Sequence, residues 1–200
     1  MRCELSDIKK QSDKQLVGDE CFTLNGEATQ MTMLDFWRWH FSEIYDMQSK
    51  MAEYIVAKAL GLKEAQNVGD WTLYDILYRG KRIEIKETSF YHAWQTDEEP
   101  KSQQRSFGIT KAYDKYQDST SEFRRQNDIY VFCLNTGETK ADSYPLELEN
   151  WEFYVVPTTV INTICKDGKS ISLSRVRKLS SKVKYTDIKA TIDRIIDAEF

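Results

Sequence analysis

Asp75, Glu84 and Lys86 are residue types that do chemistry together, and their spacing places them together. The stretch YDILYRGKRIEIK, Tyr74 to Lys86, alternates apolar and polar residues on both sides of Arg79-Gly80. That pattern predicts two strands joined by a tight two-residue turn. Alternation puts Ile83 and Ile85 on one face of the second strand and Arg82, Glu84 and Lys86 on the other. Folding the hairpin at Arg79-Gly80 pairs Tyr78 with Lys81, Leu77 with Arg82 and Ile76 with Ile83, and sets Asp75 opposite Glu84. Like charges at directly opposed positions destabilise a sheet. Two things would offset the repulsion: Lys86, two residues along on the same face, or a divalent cation.

A third acid precedes them. MAEYIVAKALG predicts a helix over about 49–60, stopped by Gly61. On it Ala52, Ile55, Val56, Ala59 and Leu60 fill one apolar arc, and Glu53 lies at that arc's border, able to lean toward a sheet edge. Taken singly, each of these residues has an ordinary explanation: Glu53 as a solvated helix flank, Glu84 and Lys86 as an ion pair on a half-exposed strand. The order is what distinguishes them, a Glu-bearing helix, then an Asp-bearing strand, then a Glu-Ile-Lys strand.

The elements that must hold these residues are readable along the chain. A helix begins at Thr32, with Leu34, Trp37, Phe41 and Ile44 at helical spacing and Asp35 in its first turn. A short strand is expected at 105–109. DIYVFCL, Asp128 to Leu134, is almost wholly apolar, as a central buried strand would be. WEFYVVP, Trp151 to Pro157, is another strand, closed by its proline. The tail holds a short strand at 170–173 and basic helical segments from Ser174 to about Ala198. Residues 1–30 read as a polar extension and 31–200 as one domain, an α/β sandwich around a central mixed sheet.

Composition bounds the possibilities. Two histidines and four scattered cysteines leave no zinc-ligand spacing, and the thiols read as reduced, in a cytoplasmic protein. No apolar run approaches the roughly 20 residues of a membrane span. The net charge of −4 means that any contact with a polyanion rests on a local basic surface. The best candidate is the tail, where Lys166 to Lys189 contains eight Lys or Arg against two Asp. Arg175, Arg177, Lys178, Lys182 and Lys184 lie inside it. Lys101, Arg105 and the Arg124-Arg125 pair are candidates for flanking a cleft. The aromatic stretches DFWRWHF and SFYHAW would suit base stacking, although Trp37 and Phe41 read as core.

The order of acids resembles the PD-(D/E)XK nuclease superfamily, whose members share a restriction-endonuclease-like α/β/α fold. Glu53 matches the acid of the first core helix, Asp75 the hairpin acid, and Glu84-Ile85-Lys86 the (D/E)-x-K signature; Tyr74 stands where the motif's proline would be. LDFWRWHFSEIYD, RIEIKETSFYHAWQ, FGITKAYD and WEFYVVPTTVIN extend the similarity to an uncharacterised bacterial group within that superfamily, over about 32–180. The resemblance implies Mg²⁺, replaceable by Mn²⁺, held by Asp75, Glu84 and the main-chain carbonyl of Ile85. Lys86 would serve the attacking water, and Glu53 a metal-bound water or second ion. It implies hydrolysis of DNA, in restriction, repair or mobile-element defence, with a homodimer favoured if both strands are cut. The competing expectations are a nuclease-fold protein that binds nucleic acid or a partner without catalysis, and an α/β protein in which Lys86 merely pairs with Glu84.

Overall fold

The computed structural model describes residues 16–41, 47–62, 73–91, 105–114, 121–139 and 142–199. The chain separates into two compact units, residues 1–46 and 47–200. The first unit takes in the first helix as well as the polar 1–30 segment.

The first unit is a hairpin and a helix. Strands β1 (Cys21–Leu24) and β2 (Glu27–Thr32) pair antiparallel. Their turn is Asn25-Gly26, both with positive φ (52° and 83°), the mirror-image turn that suits the twist of a hairpin. Helix α1 (Met33–His40) is closed at its start by a reciprocal box in which Thr32 and Asp35 bond each other's backbone amides. Its apolar stripe is not core: no residue of α1 is buried, Trp37 is half-buried and Phe41 is exposed. A two-stranded ribbon with one short helix has too little surface to enclose a tryptophan. Ile44 lies outside the described residues.

The second unit is built on a four-stranded mixed sheet in the order β3-β4-β6-β7. Its strands are β3 (Ile76–Tyr78), β4 (Lys81–Ser89), β6 (Ile129–Asn135) and β7 (Trp151–Pro157). β3 and β7 run antiparallel to their neighbours, while β4 and β6 are parallel. β6 is buried at all seven positions, which is why DIYVFCL carries apolar residues on both faces.

Each face of the sheet is covered. On one, α2 (Gln48–Ala59) and α5 (Ile188–Glu199) pack Ala52, Ile55, Val56, Ile188, Ile192 and Ile196 against Ile76, Ile83, Ile85 and Val131. On the other, Tyr130, Phe132, Leu134 and Tyr154 meet three further elements. These are α3 (Thr158–Cys165), α4 (Leu173–Leu179) and the ribbon of β5 (Ser106–Gly108) with β8 (Ser170–Ser172). The chain is therefore a mixed α/β protein with a central mixed sheet and helices on both sides. Gly61, at φ 78°, follows α2 as its stop. Among the described residues no helix is long and apolar enough to cross a membrane, and Cys21, Cys133 and Cys165 are free thiols.

Candidate active site

The hairpin positions the acids through its turn. Arg79 and Gly80 both have positive φ (49° and 76°), and Arg79 is kept there by ion pairs from its guanidinium to Asp193 (3.0 Å) and Asp197 (2.7 Å) of α5. The register is the expected one: Tyr78 pairs with Lys81, Leu77 with Arg82 and Ile76 with Ile83. The ladder then stops, one residue short of the direct Asp75–Glu84 pairing expected from the alternation. The Asp75 amide donates to the Ile83 carbonyl (2.9 Å), and its Oδ2 accepts from the Ile85 amide at 2.6 Å. In a continued ladder that amide would reach the carbonyl of residue 74. The Asp75 carboxylate takes its place, and among the described residues no strand pairs with this edge of β4 from Ile85 onward.

Alternation of the backbone matters as much as that of the side chains. The amide and carbonyl of Arg82 face Asp128, on the β6 side, through bonds of 2.8 Å each. The N–H and C=O of Ile83 and Ile85 therefore turn to the β3 side. With β3 ended at Ile76, the Ile85 carbonyl points to this edge of β4, beside Asp75.

Glu84 and Lys86 share one face of β4, beside Tyr130 and Phe132 of β6, and are joined by a salt bridge. Burial pushes the Glu84 carboxyl up to about 7, the neighbouring Asp75 charge adds to it, and Lys86 opposes it. Asp75 is raised by burial, against the Ile85 amide and Lys86. Glu53, on α2, is raised by burial and then by the charge of Asp75; its carboxylate also takes a salt bridge from Lys50 at 3.1 Å. Glu84 feels the charges of both Asp75 and Glu53, Glu53 feels that of Asp75, and all three feel Lys86, so the three carboxyls gather around one lysine. Like charges gathered and partly dried in this way cost stability, a common mark of functional sites. Among the described residues no three His, Cys, Asp or Glu side chains stand ready-made as a metal cage. The donors nevertheless suit a hard divalent cation in kind, being two carboxylates and a main-chain carbonyl.

A cleft of about 240 Å³ adjoins the pair, lined by Glu84, Lys86, Thr110, Arg124, Gln126 and Tyr130 among others. Its far wall was not evident from the sequence beyond the suspicion that Arg124-Arg125 flanks a cleft. The two arginines differ completely. Arg125 is buried, and its guanidinium donates to the carbonyls of Ile109 (2.8 Å), Lys166 (2.9 Å) and Gly168 (2.8 Å) and to Asn162 Oδ1 (2.8 Å). Arg124 is exposed at the cleft. Gln126 Nε2 ties the carbonyls of Ala112 (2.9 Å) and Glu122 (2.8 Å). The available signal was a polar run, RRQND, set directly before the most apolar strand.

On the opposite face of β4, burial alone pushes Glu87 up to about 7, and among the described residues its Oε1 has no hydrogen-bond partner. Nearby on α2, Gln48 accepts from Ser89 Oγ (2.9 Å), while its Nε2 likewise has no partner among the described residues.

The expected nucleic-acid residues are dispersed. Lys101 lies outside the described residues. Arg105 is taken up by the end of β4, its guanidinium donating to the carbonyls of Ser89 (2.6 Å) and Phe90 (2.7 Å), so it serves as a structural tie. Arg177 and Lys182 both bind Glu152 of β7, at 2.9 and 3.1 Å, and Arg177 also donates to the Tyr154 hydroxyl. Burial pushes Glu152 up, but hydrogen bonds from Tyr154, Arg177 and Lys182 outweigh it and hold the carboxyl below its ordinary value. Arg175, Lys178 and Lys184 are exposed. The tail therefore does not present one free basic surface: two of its five candidate cations neutralise an acid on the β7 edge, two strands from β4. Compared with protein-family models the chain matches none, and a search of curated proteins finds no match.

Proposed function

We propose that the chain is a Mg²⁺-dependent nuclease of the restriction-endonuclease-like class, hydrolysing phosphodiester bonds of DNA. The observation that carries this reading is the convergence of Glu53, Asp75 and Glu84 around Lys86 at the fork where β3 leaves β4. Asp75, Glu84 and the Ile85 carbonyl would hold the ion. When bound, Mg²⁺ would neutralise charge on the phosphate and make water more acidic. The protein's own groups supply the rest. Asp75, fixed by the Ile85 amide, keeps its carboxylate at the fork without needing to reorganise. Lys86, paired with Glu84 on the same strand face, would orient the attacking water and stabilise the charge that builds on the phosphate. Glu53, on α2 and raised by the charge of Asp75, would hold water beside the ion.

The test is cleavage of plasmid DNA with Mg²⁺ and with EDTA, by wild type and Lys86→Ala. The expected result is nicking or linearisation only with Mg²⁺, reduced about 100-fold or more in Lys86→Ala. No cleavage of DNA or RNA by wild type, in Mg²⁺ or Mn²⁺, would overturn the proposal.

A further inference from the structure

Arg124 stands out among the cations near the cleft because its backbone is fixed and its side chain is not used. Its amide and carbonyl exchange bonds with those of Ala112 (3.3 and 3.0 Å), forming an isolated antiparallel bridge. Its neighbour Arg125 is anchored by four hydrogen bonds, and Gln126 clamps the Ala112 carbonyl from the other side. Alternation along this extended segment sends Arg125 inward and Arg124 out to the cleft. The other cations nearby are occupied. Lys86 is paired with Glu84, Arg82 lies 3.7 Å from Asp114, and Lys111 binds Asp167 at 2.7 Å. Among the described residues Arg124 has no side-chain partner, yet it lines the same cleft as Glu84 and Lys86.

A guanidinium with no acid of its own among the described residues, carried on a fixed backbone in a cleft whose carboxylate, Glu84, is already paired with Lys86, suits an anionic ligand. It presents a planar fork of donors that matches phosphate geometry. We infer that Arg124 is a substrate-binding residue that grips a backbone phosphate of the nucleic acid, adjacent to the phosphate being cut. The inference rests on the nuclease reading and deepens it: a phosphate contact positions the strand but carries no sequence information. Arg124 would supply affinity and register, leaving base discrimination to other groups.

The experiment is fluorescence anisotropy with a short labelled duplex of mixed sequence and with its single strand. The protein carries Lys86→Ala so that bound DNA stays intact in Mg²⁺, with Arg124 intact or changed to Ala or Lys. Removing one phosphate contact should lower the slope of log affinity against log salt by about 0.9 for duplex, or about 0.7 for single strand. Affinity should fall about tenfold or more, by the same factor on unrelated sequences, while Arg124→Lys keeps the slope. In the Lys86-containing protein, Arg124→Ala should raise KM with kcat changed little. An unchanged salt slope in Arg124→Ala would overturn the assignment while leaving the nuclease reading intact. An equal loss in Arg124→Lys would overturn the charge contact. Failure of the parent protein to bind either nucleic acid at low salt would overturn both.

Discussion

Single residues here divide into those that hold the fold and those held for use, and the hydrogen bonds tell them apart. Asp75 does both: its carboxylate completes β4's hydrogen bonding at Ile85, and its charge raises Glu84. Asp75→Asn keeps an oxygen able to accept from Ile85 and removes the like charge. Its metal-free form should melt at or above the wild-type temperature. Asp75→Ala loses the acceptor as well and should cost about 1–2 kcal/mol in urea unfolding. Arg125 is the opposite kind of residue. Arg125→Met would leave the buried carbonyl of Ile109 without its donor and break the part-buried bonds to Lys166 and Gly168, and should cost about 2 kcal/mol or more, measured the same way. Its importance was not legible in the sequence, because its partners lie 16 to 43 residues away. Glu84 and Lys86 were legible because their relation is local, two positions on one strand face.

Among elements, those whose periodicity and burial coincide were read correctly: α2, β4, β6 and β7. WEFYVVP has the bounds of β7 because a tight sheet register on one side and Pro157 on the other leave no latitude. α1 shows the converse, since apolar spacing predicts which face is apolar but not whether anything covers it. The β1–β2 hairpin was hidden in a polar segment although Asn25-Gly26, a strong turn signal, marks it. The β3–β4 turn carries a testable consequence. Gly80 has φ 76° and nothing within 4 Å of where a Cβ would stand, so Gly80→Ala costs only backbone strain. The expected loss is about 1 kcal/mol by thermal melting, with Gly80→Asn milder, because asparagine tolerates that conformation better.

Across the whole molecule, the acids at the fork and Glu87 behind it should set the pH response. Glu53, Asp75, Glu84 and Glu87 all have folded values raised above their ordinary ones, the last two to about 7. The folded state therefore binds more protons than the unfolded one between about pH 4.5 and 7, and stability should fall as pH rises through that window. Glu152, held low, acts only at more acid pH, where its contribution is lost. Melting temperatures of metal-free protein should decline from about pH 5 to 8, and Glu87→Gln should flatten part of that decline. If the acids are gathered for a cation, Mn²⁺ should restore the lost stability at the alkaline end. Calorimetric titration of Mn²⁺ at about pH 7.5 into wild type, Asp75→Asn and Lys86→Ala tests that most directly. Wild type should bind with release of protons, Asp75→Asn about tenfold or more weakly, and Lys86→Ala as well as wild type or better. A wild-type protein that takes up no Mn²⁺ at about millimolar concentration, or an Asp75→Asn variant that binds it unchanged, would contradict the account.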